Sequence, residues 1–100
     1  GYPVLLPLSH IAAGEVLVAR GDQQGAAEHY VAALARAREQ EAPLSLSCAL
    51  MGVGGVLQAR GDMEQARAHY QEAFAVAHSS TFAWLIAELE TRLTQLGDHP

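Results

Sequence analysis

The stretch Gly14-Glu-Val-Leu-Val-Ala-Arg-Gly-Asp22 returns forty residues later as Gly54-Gly-Val-Leu-Gln-Ala-Arg-Gly-Asp62, and this return decides the fold. The likeness continues through Ala26 and Ala66, His29-Tyr30 and His69-Tyr70, and Ala33 and Ala73. Thirteen of the twenty-four positions in 14–37 match those in 54–77. Self-similarity at such a period marks a solenoid, in which each unit buries its apolar face only by stacking on the next.

Composition says what the unit is made of. Nineteen alanines, no asparagine and few β-branched residues favour helix over strand in nearly every window. In the second unit the apolar residues Leu50, Val53, Gly54 and Leu57 keep helical spacing before the turn, and Ala66, Tyr70, Ala73, Phe74 and Ala77 keep it after. Gly21 and Gly61 suit the left-handed position after a helix end, Asp22 and Asp62 suit the following N-cap, and Pro43 suits a first helical residue. These signals predict helices near 8–20, 22–40, 43–60, 62–79 and 81–96. Tyr30, Tyr70, Leu34, Phe74, Leu17, Leu57, Val53 and Leu89 are the expected core. Gly52 and Gly55 lie off the core face at a cost of about 1 kcal/mol each relative to Ala, so one or the other is expected to leave room for something.

The residues resemble the tetratricopeptide repeat family. Its bulky-Leu-Gly-bulky pattern falls on Leu50, Val53, Gly54 and Leu57, and its small-aromatic-small-bulky pattern on Ala66, Tyr70, Ala73 and Phe74. The first unit fills the same slots with His10, Ala13, Gly14 and Leu17, then Ala26, Tyr30, Ala33 and Leu34; His10 stands where a large apolar residue is usual. The resemblance covers residues 8–97. It implies an all-α fold of antiparallel helix-turn-helix repeats stacked as a right-handed superhelix: one domain over 1–100, with unit 1 at about 4–40, unit 2 at about 43–79 and a capping helix at about 80–97. Glu90, in the slot of Gly54, is what marks the last helix as a cap, since its side chain would block the close approach that glycine permits. Units longer than the family's usual length look like those in the sensor arms of large bacterial transcriptional regulators, which implies that the chain is a piece of a larger protein.

Several functions lose support at once. The formal charge is −5 and the six cations are scattered arginines, so no basic stripe exists to release counterions from nucleic acid or to meet an acidic membrane. No apolar run approaches the length that spans a bilayer, the N-terminus does not read as a signal peptide, and the lone Cys48 sits in an apolar run; a cytoplasmic setting is expected. Arg20-Gly21-Asp22 and Arg60-Gly61-Asp62 spell an adhesion tripeptide, but both fall at turns where Gly and Asp have mechanical work. Gly52-Val53-Gly54-Gly55 lacks the strand and third glycine of a nucleotide loop. His10, His29, His69, His78 and His99 lack metal-ligand spacing. The serines lack a nucleophile elbow and no carboxylate pair sits among apolar residues, so Glu88 and Glu90 read as solvated, Glu88 pairing with Arg92 at i, i+4. No enzyme activity, metal or cofactor is expected.

What remains is binding. In the family the groove is lined by the first helix of each pair, at slots that here hold Leu8, Ile11, Glu15 and Val18, then Cys48, Met51, Gly55 and Gln58. On the cap the slots hold Trp84, Ala87, Thr91 and Thr94. No Lys, Asn or Arg occupies them, which argues against a clamp for a partner's C-terminal carboxylate. The apolar, partly small lining with polarizable Met51 and Cys48 suits an amphipathic or apolar helical segment of a protein partner. A second copy, or the chain's own Tyr2–Leu6 segment, is the competing occupant. A small-molecule pocket in a regulatory arm is the alternative function.

Overall fold

The computed structural model describes residues 7–97, with side chains described from His10 onward. The Tyr2–Leu6 segment, the start of unit 1, and His99 lie outside the described residues, and the side chain of Leu8 lies outside those described. Among the described residues five helices follow one another: α1 (Pro7–Ala19), α2 (Gln23–Gln40), α3 (Pro43–Ala59), α4 (Met63–Ser79) and α5 (Ala83–Gln95). They match the expected helices to within about three residues, and no strand occurs among the described residues. No helix among these residues is long and apolar enough to cross a membrane.

The turns have the chemistry expected within units and a different one between them. Gly21 and Gly61 adopt φ of 81° and 88°, and Asp22 and Asp62 donate their backbone N–H back to Leu17 and Leu57 at 2.8 and 2.9 Å. The Asp22 carboxylate then caps α2 by accepting from the Gly25 N–H at 2.9 Å. Asp62 occupies the same position without such a bond, contrary to expectation. A Cβ on residue 25 would lie 2.5 Å from the Asp22 carboxylate, and Gln65 carries that Cβ in the second unit. Between units the left-handed residues are not glycines but Glu41 (φ 51°) and Thr81 (φ 57°), themselves forty residues apart. Pro43 opens α3 as its missing N–H allows.

Packing follows the helical stripes. Each consecutive pair of helices packs together, α1 also touches α3, and α3 touches α5. On the opposite side α2 and α4 are linked by side chains, the Arg38 guanidinium donating to Glu72 at 2.9 Å. The molecule is therefore a slab of two helix layers, 47 × 30 × 19 Å, with the odd-numbered helices side by side on one face. One core cluster gathers Leu50, Ala66, Tyr70, Ala73, Ala77, Leu85, Leu89 and Leu93; the other gathers Ile11, Ala26, Tyr30, Ala33, Ala49 and Val56. Of the expected core, Tyr30, Tyr70 and Leu89 are buried, and Leu17, Leu34, Val53, Leu57 and Phe74 are half-buried around the clusters. Small residues carry much of the core beside them: the alanines at 26, 33, 37, 66, 73 and 77 show no exposure because they let the helices approach. Ser47 is also fully buried and donates its hydroxyl to the Ala73 carbonyl at 2.9 Å.

The two tyrosines explain the glycines. A Cβ on Gly54 would stand 2.6 Å from the Tyr70 ring, and one on Gly14 would stand 2.7 Å from Tyr30. Gly52 leaves its space to Tyr30 as well, with the ring 2.5 Å from the position of a Cβ. Tyr30 thus locks its own unit and the next, lying against α1 and α3 together. Glu90, in the corresponding slot of α5, is exposed.

Two outcomes test this packing in a denaturant titration. Gly54→Ala should lose about 1–3 kcal/mol to overpacking despite alanine's better helix propensity, because an aromatic ring in a core cannot step aside. Gly55→Ala, whose Cβ would meet Arg92 Nη1 at 3.3 Å, asks only for a shift of a few tenths of an ångström and should change stability by no more than about 1 kcal/mol. Tyr70→Ala should cost about 3 kcal/mol, as aromatic truncations in cores do; a change below roughly 0.5 kcal/mol would sink its core role.

Candidate functional site

The odd face carries a cleft of about 470 Å3. Its floor is α3, where Cys48, Met51, Gly52, Gly55, Val56, Gln58 and Ala59 follow the helical repeat along one side. Ile11, Glu15 and Val18 of α1 form one wall, and Arg92 of α5 closes the other. Two glycines in a helix floor have a local cause: their missing side chains admit the Tyr30 ring and the Arg92 guanidinium, which deepens the cleft and places polar groups at its bottom.

Seven expected residues meet here: Ile11, Glu15, Val18, Cys48, Met51, Gly55 and Gln58. Trp84, Ala87 and Thr91 do not. Helix α5 rests mainly on α4 through Leu85, Leu89 and Leu93, and this turns the three to solvent, Trp84 with 62 % of its surface exposed. The Thr91 hydroxyl donates to the Ala87 carbonyl of its own helix at 3.1 Å. Thr94 is likewise exposed. The lining is also not free of arginine, because Arg92 enters it one position beyond Thr91. Tyr30, Gln23, Gly52, Val56 and Ala59 were missed as well. The repeat offset gives no signal for Arg92, since it leads thirty-six residues back to Val56, itself outside the expected lining.

Arg92 is held firmly. Its Nε donates to Glu88 Oε1 at 3.0 Å, its Nη1 donates to the Tyr70 hydroxyl at 3.3 Å, and its guanidinium lies 5.7 Å from the centre of the Tyr70 ring. The Tyr70 hydroxyl in turn donates to Gln58 Oε1 at 2.8 Å. Burial works against the charge of Arg92, but its bonds to Tyr70 and Glu88 outweigh this and raise its pKa. A chain of hydrogen bonds thus runs from Glu88 through Arg92 and Tyr70 to Gln58, joining α5, α4 and α3.

Burial also raises the pKa of the Tyr30 hydroxyl, with the negative charge of Glu15 adding to it and the positive charge of Arg92 opposing it. The Cys48 thiol is pushed up by burial and then by Glu15. Cys48 is thus a protonated, weakly nucleophilic side chain at neutral pH. Glu15 and Arg92 give the cleft opposite charges on its two walls, over a floor that is largely apolar and ends at Gln58.

Away from the cleft, tertiary packing joins two histidines that sequence spacing had kept apart. His10 on α1 and His29 on α2 bring their Nδ1 atoms to 3.1 Å, with ring centroids 5.3 Å apart. Burial, then His29 and Arg36, lower the pKa of His10. His69, the repeat-mate of His29, instead directs Nδ1 to the Gln65 carbonyl at 2.8 Å. No group of three or more His, Cys, Asp or Glu side chains among the described residues is placed to hold a metal.

No protein-family model matches the chain, and no curated protein or solved structure matches it.

The electrostatics of the cleft are open to a direct check. Alkylation of Cys48 by iodoacetamide at pH 7.5 should be slower than that of a free thiol. Glu15→Gln should speed it by removing the charge that opposes the thiolate. An unchanged rate in Glu15→Gln would place Glu15 away from the thiol.

Proposed function

We propose that the chain is a protein-interaction module of the tetratricopeptide type, and that its odd face takes an apolar or amphipathic helical segment of another polypeptide or a second copy of itself. The observation that carries this reading is the cleft, where Ile11, Val18, Cys48 and Met51 offer apolar and polarizable surface between the charges of Glu15 and Arg92. A helix laid there places its apolar stripe on the floor and its flanking charged residues at the walls. Burying about 200 Å2 of partner apolar surface supplies about 5 kcal/mol before the cost of ordering the partner. The forty-residue repeat, the paired helices and the tyrosine-on-glycine contacts support the tetratricopeptide assignment.

A second reading also has an observation in its favour. The cleft volume falls in the range of small-molecule sites, and its lining includes Tyr30, Gln58 and Arg92 as polar groups. On that reading the chain is the ligand-sensing arm of a bacterial signalling or transcriptional regulator working in the cytoplasm. Neither reading involves catalysis or a cofactor.

Calorimetric titration with amphipathic helical peptides, and separately with a metabolite panel, distinguishes them. Met51→Glu should abolish binding at the cleft while leaving helicity by circular dichroism unchanged; retained peptide binding in that variant would remove the cleft from the interaction site. Self-association is expected too. Val16, Val31, Met63 and Trp84 are large apolar residues on the surface, and Val16 is 50 % exposed where its repeat-mate Val56, covered by Tyr30 and its neighbours on α2, is 3 % exposed. At the C-terminal end Leu85 is fully buried and Phe82 packs beside the core, which leaves Trp84 as the exposed apolar side chain of α5. Light scattering should show a mass rising with concentration and a return to monomer in Val16→Glu or Trp84→Glu; a constant monomer mass in the unaltered chain refutes it.

A further inference from the structure

We infer that His10 and His29 form a two-imidazole site for a divalent transition-metal ion, bridging α1 and α2. The Nδ1 atoms stand 3.1 Å apart. An ion about 2.0–2.1 Å from each nitrogen would subtend an N–metal–N angle of about 100°, between the square and tetrahedral values, so the N···N separation suits a chelate once both rings turn their lone pairs from each other toward the ion. Both rings are half-buried, which leaves the remaining coordination positions to water.

The repeat shows that structure alone does not require this pair. The counterpart of His10 in the second unit is Leu50, which is fully buried in the core, and the counterpart of His29 is His69, which bonds its own helix. The second unit therefore closes with an apolar contact where the first closes with two facing imidazoles. A histidine in place of leucine forfeits apolar burial and brings polar atoms that must be satisfied. Without an ion, one Nδ1–H donates to the other Nδ1. On binding, that proton moves to Nε2 of the same ring, the freed lone pair joins its partner on the metal, and two coordinated waters leave. Neutral imidazole selects zinc, copper or nickel over the hard cations magnesium and calcium. Arg36 lies close enough to act on His10, but it is paired with Glu39 at 3.7 Å, which offsets its charge.

The test uses the untagged 100-residue chain with zinc and copper(II) chlorides in calorimetry. The expected result is one ion per chain, bound at least about tenfold more weakly in His10→Leu and in His29→Gln and unchanged in His69→Gln. His10→Leu copies the arrangement of the second unit and should preserve the fold. As a measurement independent of any variant, long-range proton–nitrogen spectra of the unaltered chain should show zinc shifting Nδ1 of both His10 and His29. Absence of binding, equal binding in either variant, shifts confined to other histidines, or one ion per two chains overturns the site.

Discussion

Two tyrosine rings pressed onto helix backbone hold this array together. Tyr70 fills the space left by Gly54, and Tyr30 fills the spaces left by Gly14 and Gly52, so each ring fixes the distance between the helices it joins. An aromatic ring supplies a large apolar area and a rigid shape, and it also carries a hydroxyl that must find a partner when it reaches the far side. Tyr70 crosses the pair and places that hydroxyl between Gln58 and Arg92. The contact that packs the second unit is therefore also the contact that positions the polar groups of the cleft.

This coupling ties function to stability in a specific way. Helix α5 is seated by Leu85, Leu89 and Leu93, and that seating brings Arg92 to the cleft, where its guanidinium lies 5.7 Å from the centre of the Tyr70 ring and hydrogen-bonds to the same tyrosine. The exposed pair with Glu88 adds only a few tenths of a kcal/mol by itself. Its value lies in holding the planar guanidinium against the Tyr70 ring rather than in the charge pair alone.

The repeat is also a built-in comparison, since each residue of one unit has a counterpart in a different environment. Val16 and Val56, Asp22 and Asp62, and His10 and Leu50 differ in exposure, capping or chemistry although the backbone around them repeats. For the first two pairs a nearby side chain supplies the cause: the cluster that Val56 shares with Ala26, Tyr30 and Ala33 of α2, and the Cβ of Gln65 beside Asp62.

The sequence by itself determined the helices, the turn glycines within units, the buried tyrosines and most of the α1 and α3 lining, because these depend on helical periodicity and on backbone chemistry within one repeat. Tertiary structure decided the rest. It faced Arg92 rather than Trp84, Ala87 and Thr91 into the cleft, because the rotation of α5 is set by how its leucines seat on α4, which no spacing within α5 records. It brought His10 to His29 across nineteen residues, because two side chains on different helices meet only through the angle and register at which those helices pack. It also assigned the left-handed turns between units to Glu41 and Thr81, because the stacking of one unit on the next imposes that backbone geometry whatever residue stands there.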